Sequence, residues 1–282
     1  MSSSPEYRRQ ESSEEVVMDK EATGAGLQHT MTSGTTVMMS EAMFEKLYLT
    51  PKTERGSDNT KRFANPTPIG LVGFVISTFT FSMVLMGWGG ANGLYGVAGI
   101  FFFTGPVLLI LALIFEWIMG NFFPMMVMGL FAVFWLSFGM LQLPTLGLAA
   151  AYSTTGDNMA EGMASPAYNA VIALYLLVWG FALLTFFIFT LRTNAVFASI
   201  FLFVTIGVFI LSGAYWKVST GDFSQAQTLQ KAGAALLFVV AILGWYMTFV
   251  IMSYEMKMGL KLPLGDLSHF WPKEKDLEAK QE

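Results

Sequence analysis

Apolar and polar positions do not alternate along this chain. From Pro66 onward the apolar residues run in six long stretches, near 68–87, 95–115, 124–150, 168–190, 195–215 and 232–254. Each is close to the roughly 20 residues that a helix needs to cross hydrocarbon. Runs such as FALLTFFIFTL lack the period of two that a barrel strand requires, so the pattern predicts an all-α integral membrane protein with six transmembrane helices rather than a β-barrel. The separators carry turn chemistry: GWGGANG at 87–93, Gly120-Asn121, the polar segment 152–166, Arg192-Thr193-Asn194, and 216–231. Asn65 before Pro66, Asn121 before Pro124 and Ser165 before Pro166 read as helix starts. Pro144, late in the third stretch, kinks that helix or ends it early.

Ahead of these stretches, residues 1–60 mix Ser, Thr, Glu, Lys and Gly with too little apolar surface to offset the entropy of ordering, and they predict a disordered cytoplasmic tail. No short apolar core follows the charged opening, so it does not read as a cleavable signal peptide. The segment 40–48 reads either as a weak amphipathic helix that touches the membrane surface or, the favoured reading, as a local element that folds on contact or no element at all. Residues 61–256 form the expected six-helix transmembrane domain and 257–282 a second cytoplasmic tail. The composition agrees, with 54% hydrophobic and only 13% charged residues, where soluble domains carry about a quarter charged. Zero cysteines exclude disulfides, a thiol nucleophile and thiolate metal sites. A net charge of -4 leaves no basic footprint for nucleic acid.

Lys and Arg in the short loops set the orientation. Lys61, Arg62, Arg192, Lys257, Lys261, Lys273 and Lys275 fall on one side and only Lys217 and Lys231 on the other, which predicts both termini in the cytoplasm. Trp88, Trp117, Tyr152, Trp216 and Trp271 stand at span ends, where amphipathic rings anchor at the membrane interface. Gly70 with Gly73, Gly96 with Gly99, Ala195 with Ser199, and Ala235 with Ala241 and Gly244 read as packing seams, within one protomer or between subunits, because small residues let membrane helices approach closely.

The spans are poor in chemistry. His29 and His269 lie outside them, no cluster has metal-ligand spacing, and GGANGLYG has neither Walker nor dinucleotide spacing, so no enzyme, cofactor or metal site is expected. No Lys or Arg sits inside a span except at the edges, so an anion in transit would have no fixed countercharge. Glu116 is the single acid near hydrophobic depth, and it reads either as a pore-mouth acid or as an interface residue that pairs with Arg192 or Lys257 or snorkels. Among the neutral polar groups, which include Thr67 and Thr104, most are packing. Asn65 stands out because, beside Arg62 and two prolines, it marks a helix start whose amides and positive dipole end offer a waiting place for a carboxylate.

The run Asn65-Pro66-Thr67-Pro68-Ile69-Gly70-Leu71 resembles the NPAPLGL motif of the acetate uptake transporter family (GPR1/FUN34/YaaH). Glu116 and Asn121 ahead of Phe134-Trp135-Leu136-Ser137-Phe138-Gly139 look like that family's E, N and FWLSFG sequence. Tyr175-Leu176, Trp179-Gly180, Thr190-Leu191-Arg192, Trp245-Tyr246 and Leu262-Pro263-Leu264-Gly265 are similar to its later marks, so the likeness spans 62–265. The long polar leader resembles fungal members, and MGWGGANG looks like the AlcS-type branch. The resemblance implies a ring of six-helix protomers, a homohexamer, in the plasma membrane, each protomer with its own pore for acetate and similar small carboxylic acids. It places the narrow point at Phe74, Phe131 and Val204, and an apolar neck gates by excluding water. The family's YGGxxQ run reads Thr104-Gly105-Pro106-Val107-Leu108-Leu109 here, so Leu109 replaces a pore Gln, and Phe131 stands where Tyr is common.

Three functions remain open at this point. The first is a channel or proton-linked permease for acetate and related short monocarboxylates. The second passes another small solute, such as ammonia, water or a neutral metabolite, through the same scaffold. The third is a non-transporting sensor or scaffold whose output is the Ser-rich leader.

Overall fold

Six helices of membrane length follow one another in the computed structural model, which describes residues 63–260 and 262–271. The expected tail at 1–60, with its amphipathic segment at 40–48, lies outside the described residues. Helix α1 spans Thr67–Met86, α2 Gly105–Met119, α3 Phe122–Leu141, α5 Pro166–Thr190, α6 Ala195–Ser219 and α7 Phe223–Glu255, with a short α4 at Met159–Ala164. No strand occurs among the described residues.

Several boundaries differ from the sequence expectation, each for a local reason. The third span ends at Leu141 rather than 150. Leu143 takes the extended conformation that a following proline imposes, and Pro144 starts a separate turn. The second span begins with a π-helical turn at Ile100–Thr104 that runs into α2. Pro106 lacks an N–H and crowds the carbonyl four residues back, and the backbone relieves this by widening the preceding turn. The sixth span starts at Phe223, nine residues before the apolar run that marked it. Its first turns are polar, and they are helical because the Asp222 side chain accepts the Gln225 N–H at 3.1 Å. Asn194 caps α6 in the same way, accepting from the Phe197 N–H at 2.8 Å. Ser165, read as a cap from sequence, makes no side-chain cap bond.

The order of packing is α5 on α6, α6 on α7, α7 on α1, α1 on α2 and α2 on α3. Small residues make the close crossings. A Cβ on Gly233 would stand 3.0 Å from the Gly207 carbonyl, one on Gly244 2.8 Å from Val75, and one on Gly70 2.7 Å from the Ala112 methyl. Gly70, Gly73, Ala241 and Gly244 thus lie in seams as expected. Gly96 and Gly99 meet nothing within 4 Å and Ala235 is exposed, whereas Gly180, Gly207 and Gly233 form contacts the sequence reading missed. Between α3 and α5 the backbones barely approach, and side chains close the gap. Phe134 meets Trp179 with ring centroids 5.2 Å apart, Phe123 meets Phe186 at 5.8 Å, and the Ser137 and Tyr175 hydroxyls share a 2.5 Å hydrogen bond.

The segment after α7, expected as a cytoplasmic tail, packs against the start of α6 in its described part. The Gly265 and Leu264 carbonyls accept the Ala195 and Val196 N–H groups at 2.7 and 3.3 Å, and the Leu267 N–H donates to Thr193 at 3.1 Å. Leu264 is buried, and the Trp271 indole donates to the Leu191 carbonyl at 2.8 Å. Together with the Asn194 cap, these carbonyls satisfy the donors that open α6, which a helix end would otherwise leave unpaired.

Candidate functional site

Helices α1, α3, α5, α6 and α7 surround a cavity of about 480 Å³. Its inner end is apolar, lined by Phe74, Phe81, Phe131, Trp135, Val204 and Val208. Its outer end reaches Asn92 in the 87–99 connection, Tyr215 late in α6, and Phe223, Gln227 and Gln230 in the polar opening of α7. No charged side chain lines it. The Phe74 and Phe131 rings lie 4.5 Å apart and also bound a second void of only about 10 Å³, which Leu71, Leu109, Met128 and Phe201 share. These two rings therefore separate a wide chamber from a nearly closed one. Val204 lines only the wide side, and Phe201, 5.9 Å from the Phe131 ring, holds the narrow side.

Beyond the narrow void, a polar cluster joins the ends of three helices. Glu116 is 0% exposed, although it belongs to a membrane-length helix. The Thr67 hydroxyl donates to its Oε1 at 2.5 Å and the Asn121 amide to its Oε2 at 2.7 Å. Its partners are thus neutral donors from α1 and from the turn after α2, in place of the basic side chains or solvent expected for an interface residue. Such bonds are what an acid needs once water is removed. Asn121, expected to start α3, spends its amide here and leaves its own Oδ1 buried without a partner.

Asn65, expected at a waiting place for a carboxylate, is hydrogen-bonded within the chain. Its Oδ1 accepts the Thr67 N–H at 3.0 Å, and its Nδ2 donates to Glu255 at the end of α7 at 2.9 Å. Pro66 and Pro68 have no N–H, so the start of α1 offers few amides, and the Asn65 amide is taken up by the chain's own Glu255. Of the residues singled out from the sequence, the fold brings together Asn65, Thr67 and Glu116 in one cluster and Phe74, Phe131, Val204 and Leu109 around the rings. Thr104 joins neither, and its carbonyl would stand 2.9 Å from a Cβ on Gly73 where α1 crosses the π-helical turn. Sequence reasoning missed Asn92, Tyr215, Gln227 and Gln230. The polar start of α7 was read as loop, so its Gln residues had no place in a lumen.

Apolar helices of this length, packed around an uncharged chamber with a pinched floor, describe a multi-pass membrane transport protein rather than an enzyme. Residues 48–269 match the GPR1/FUN34/YaaH family, and the chain belongs to it. Protein alcS of Aspergillus fumigatus is 41% identical over 244 residues, covering 84% of this chain and 88% of that protein. The acetate transporter protein patA of Penicillium expansum is 31% identical, covering 76% and 82%. The structure of the bacterial acetate channel SatP covers 72% of this chain and 99% of its own, with a TM-score of 0.53 and 22% identity, a likeness of fold.

Proposed function

We propose that this protein conducts acetate and related short monocarboxylates across the plasma membrane, as a channel or proton-linked permease with both termini in the cytoplasm and several copies arranged in a ring. The observation that carries the reading is the pair of rings, Phe74 and Phe131, standing 4.5 Å apart between an uncharged chamber of about 480 Å³ and a void of about 10 Å³. A passage this dry and free of fixed cations favours a solute that is small and sheds little hydration, such as the undissociated acid. The name of the Penicillium relative supports acetate as the solute.

Labelled acetate flux in proteoliposomes over a pH series tests this. Rates should follow the concentration of undissociated acid, and Phe131→Ala, which opens the floor, should raise them severalfold. Folded protein that carries no more acetate than empty liposomes at any pH ends the proposal. A second reading, passage of another small uncharged solute, is favoured by Leu109, which is fully buried at the narrow void where a hydrogen-bonding side chain would serve a carboxyl group. Stopped-flow swelling against a panel of solutes separates the two.

A further inference from the structure

We propose that the wide chamber is itself a binding site for uncharged aromatic or branched aliphatic monocarboxylic acids, which are too bulky to pass Phe74 and Phe131 and so act as plugs. The inference rests on the reading of the chain as a conduit for short acids and adds a second class of ligand at the same place.

Size is the first argument. About 480 Å³ lies within the roughly 300–1,000 Å³ of pockets that enclose drug-sized molecules, far more than a two-carbon acid fills. The void beyond the rings, at about 10 Å³, holds little more than one water-sized sphere. A solute that fits the chamber therefore stops at the Phe74 and Phe131 rings. The lining is the second argument. Phe81, Trp135, Phe138 and Trp179 offer faces and edges to an aromatic or branched body. The Trp135 indole N–H, buried without a partner, is a donor at that end, and other polar side chains, Asn92, Tyr215, Gln227 and Gln230, gather at the opposite end, where α6 turns into α7. Gln230 spends its amide N–H on the Leu85 carbonyl at 3.1 Å, which leaves its side-chain oxygen as an acceptor. The Tyr215 hydroxyl has no hydrogen-bond partner among the described residues and is free to donate. An acceptor and a donor at one end suit the O–H and C=O of a protonated carboxyl group, with the apolar body directed inward. An ionised carboxylate would meet no countercharge there, so the neutral form is the ligand.

The test uses the full chain in proteoliposomes. The probe is 4-bromobenzamide, the isostere of protonated 4-bromobenzoic acid, which stays uncharged at every pH and carries no proton across the bilayer; its bromine quenches the indoles of Trp135 and Trp179 on contact. Saturable quenching is expected above the linear component from the bilayer, with labelled acetate flux blocked at the same half-saturating concentration. Tyr215→Phe should weaken that saturable component about fivefold, the effect of one hydrogen bond. Val208→Phe, which fills the chamber, should abolish it, and Leu211→Phe should do the same should the first variant fail to fold. Purely linear quenching, unchanged in a folded chamber-filling variant, overturns the inference even when acetate flux is present. Saturable quenching without acetate flux keeps the site and removes the conduit reading instead.

Discussion

Glu116 shows how a single residue can be legible in kind and misleading in setting. An acid near a span end is visible in the sequence, and an interface position is the inexpensive place for it. The structure instead buries it completely and meets both oxygens with the Thr67 hydroxyl and the Asn121 amide. Those partners are 49 and 5 residues away, and the first is found only once α1 and α2 have packed. Glu116→Leu should destabilise more than Thr67→Val, because it orphans two buried donors, whereas Thr67→Val removes one bond worth about 1 kcal/mol. Thermal unfolding in detergent reads the order, and equal midpoints for the two variants would refute it. Glu161 is the exposed counterpart, outside the spans. The Thr154 hydroxyl and then its N–H donate to the Glu161 carboxylate and hold it below the ordinary carboxylate range. A lowered folded value means the stabilisation is complete above about pH 4.3 and is lost as pH falls through the folded value. Thr154→Val, which removes the larger cause, should move the Glu161 titration upward in an NMR series. An unmoved titration would show that the bonds do not form in solution.

At the scale of elements, the length of the apolar runs marked the existence of every span, whereas the ends and seams depended on contacts. Pro144 and Pro106 acted through the backbone they restrict, one ending α3 and the other widening the turn before α2. The opening of α7 went unread because apolar runs mark where a helix meets lipid, not where it begins. Small residues were found by type, but nothing in the sequence separates a glycine in a seam, such as Gly233, from one in open space, such as Gly96. At Gly180 a Cβ would lie 2.3 Å from the Phe209 ring of the neighbouring helix. Gly180→Ala is expected to cost about 1–3 kcal/mol by overpacking. Phe209→Leu should restore part of that loss, because the clash is with a side chain and not with backbone. A double variant as unstable as the sum of the two singles would show that the contact is not the cause.

For the whole molecule, the orientation reading can be checked directly because the chain has no cysteine. With both termini cytoplasmic, Thr155→Cys should react with an impermeant thiol reagent added to intact cells. Met258→Cys should react only after the membrane is opened, and the reverse pattern would invert the topology. The sequence by itself determined that this is a six-span membrane protein with few ionisable groups at depth, since a hydrocarbon environment filters residue types span by span. The hydrophobic pattern carries that information locally. It did not determine where the lumen lies, because membrane helices are apolar all round and their composition does not distinguish an inward face from a lipid-facing one. Only the packing of α1, α3, α5, α6 and α7 decided that Phe74 and Phe131 meet and that the polar start of α7 brings Gln227 and Gln230 to the chamber. Those facts depend on residues far apart in the chain reaching one another across helices, and the neutral partners of Glu116 became visible in the same way.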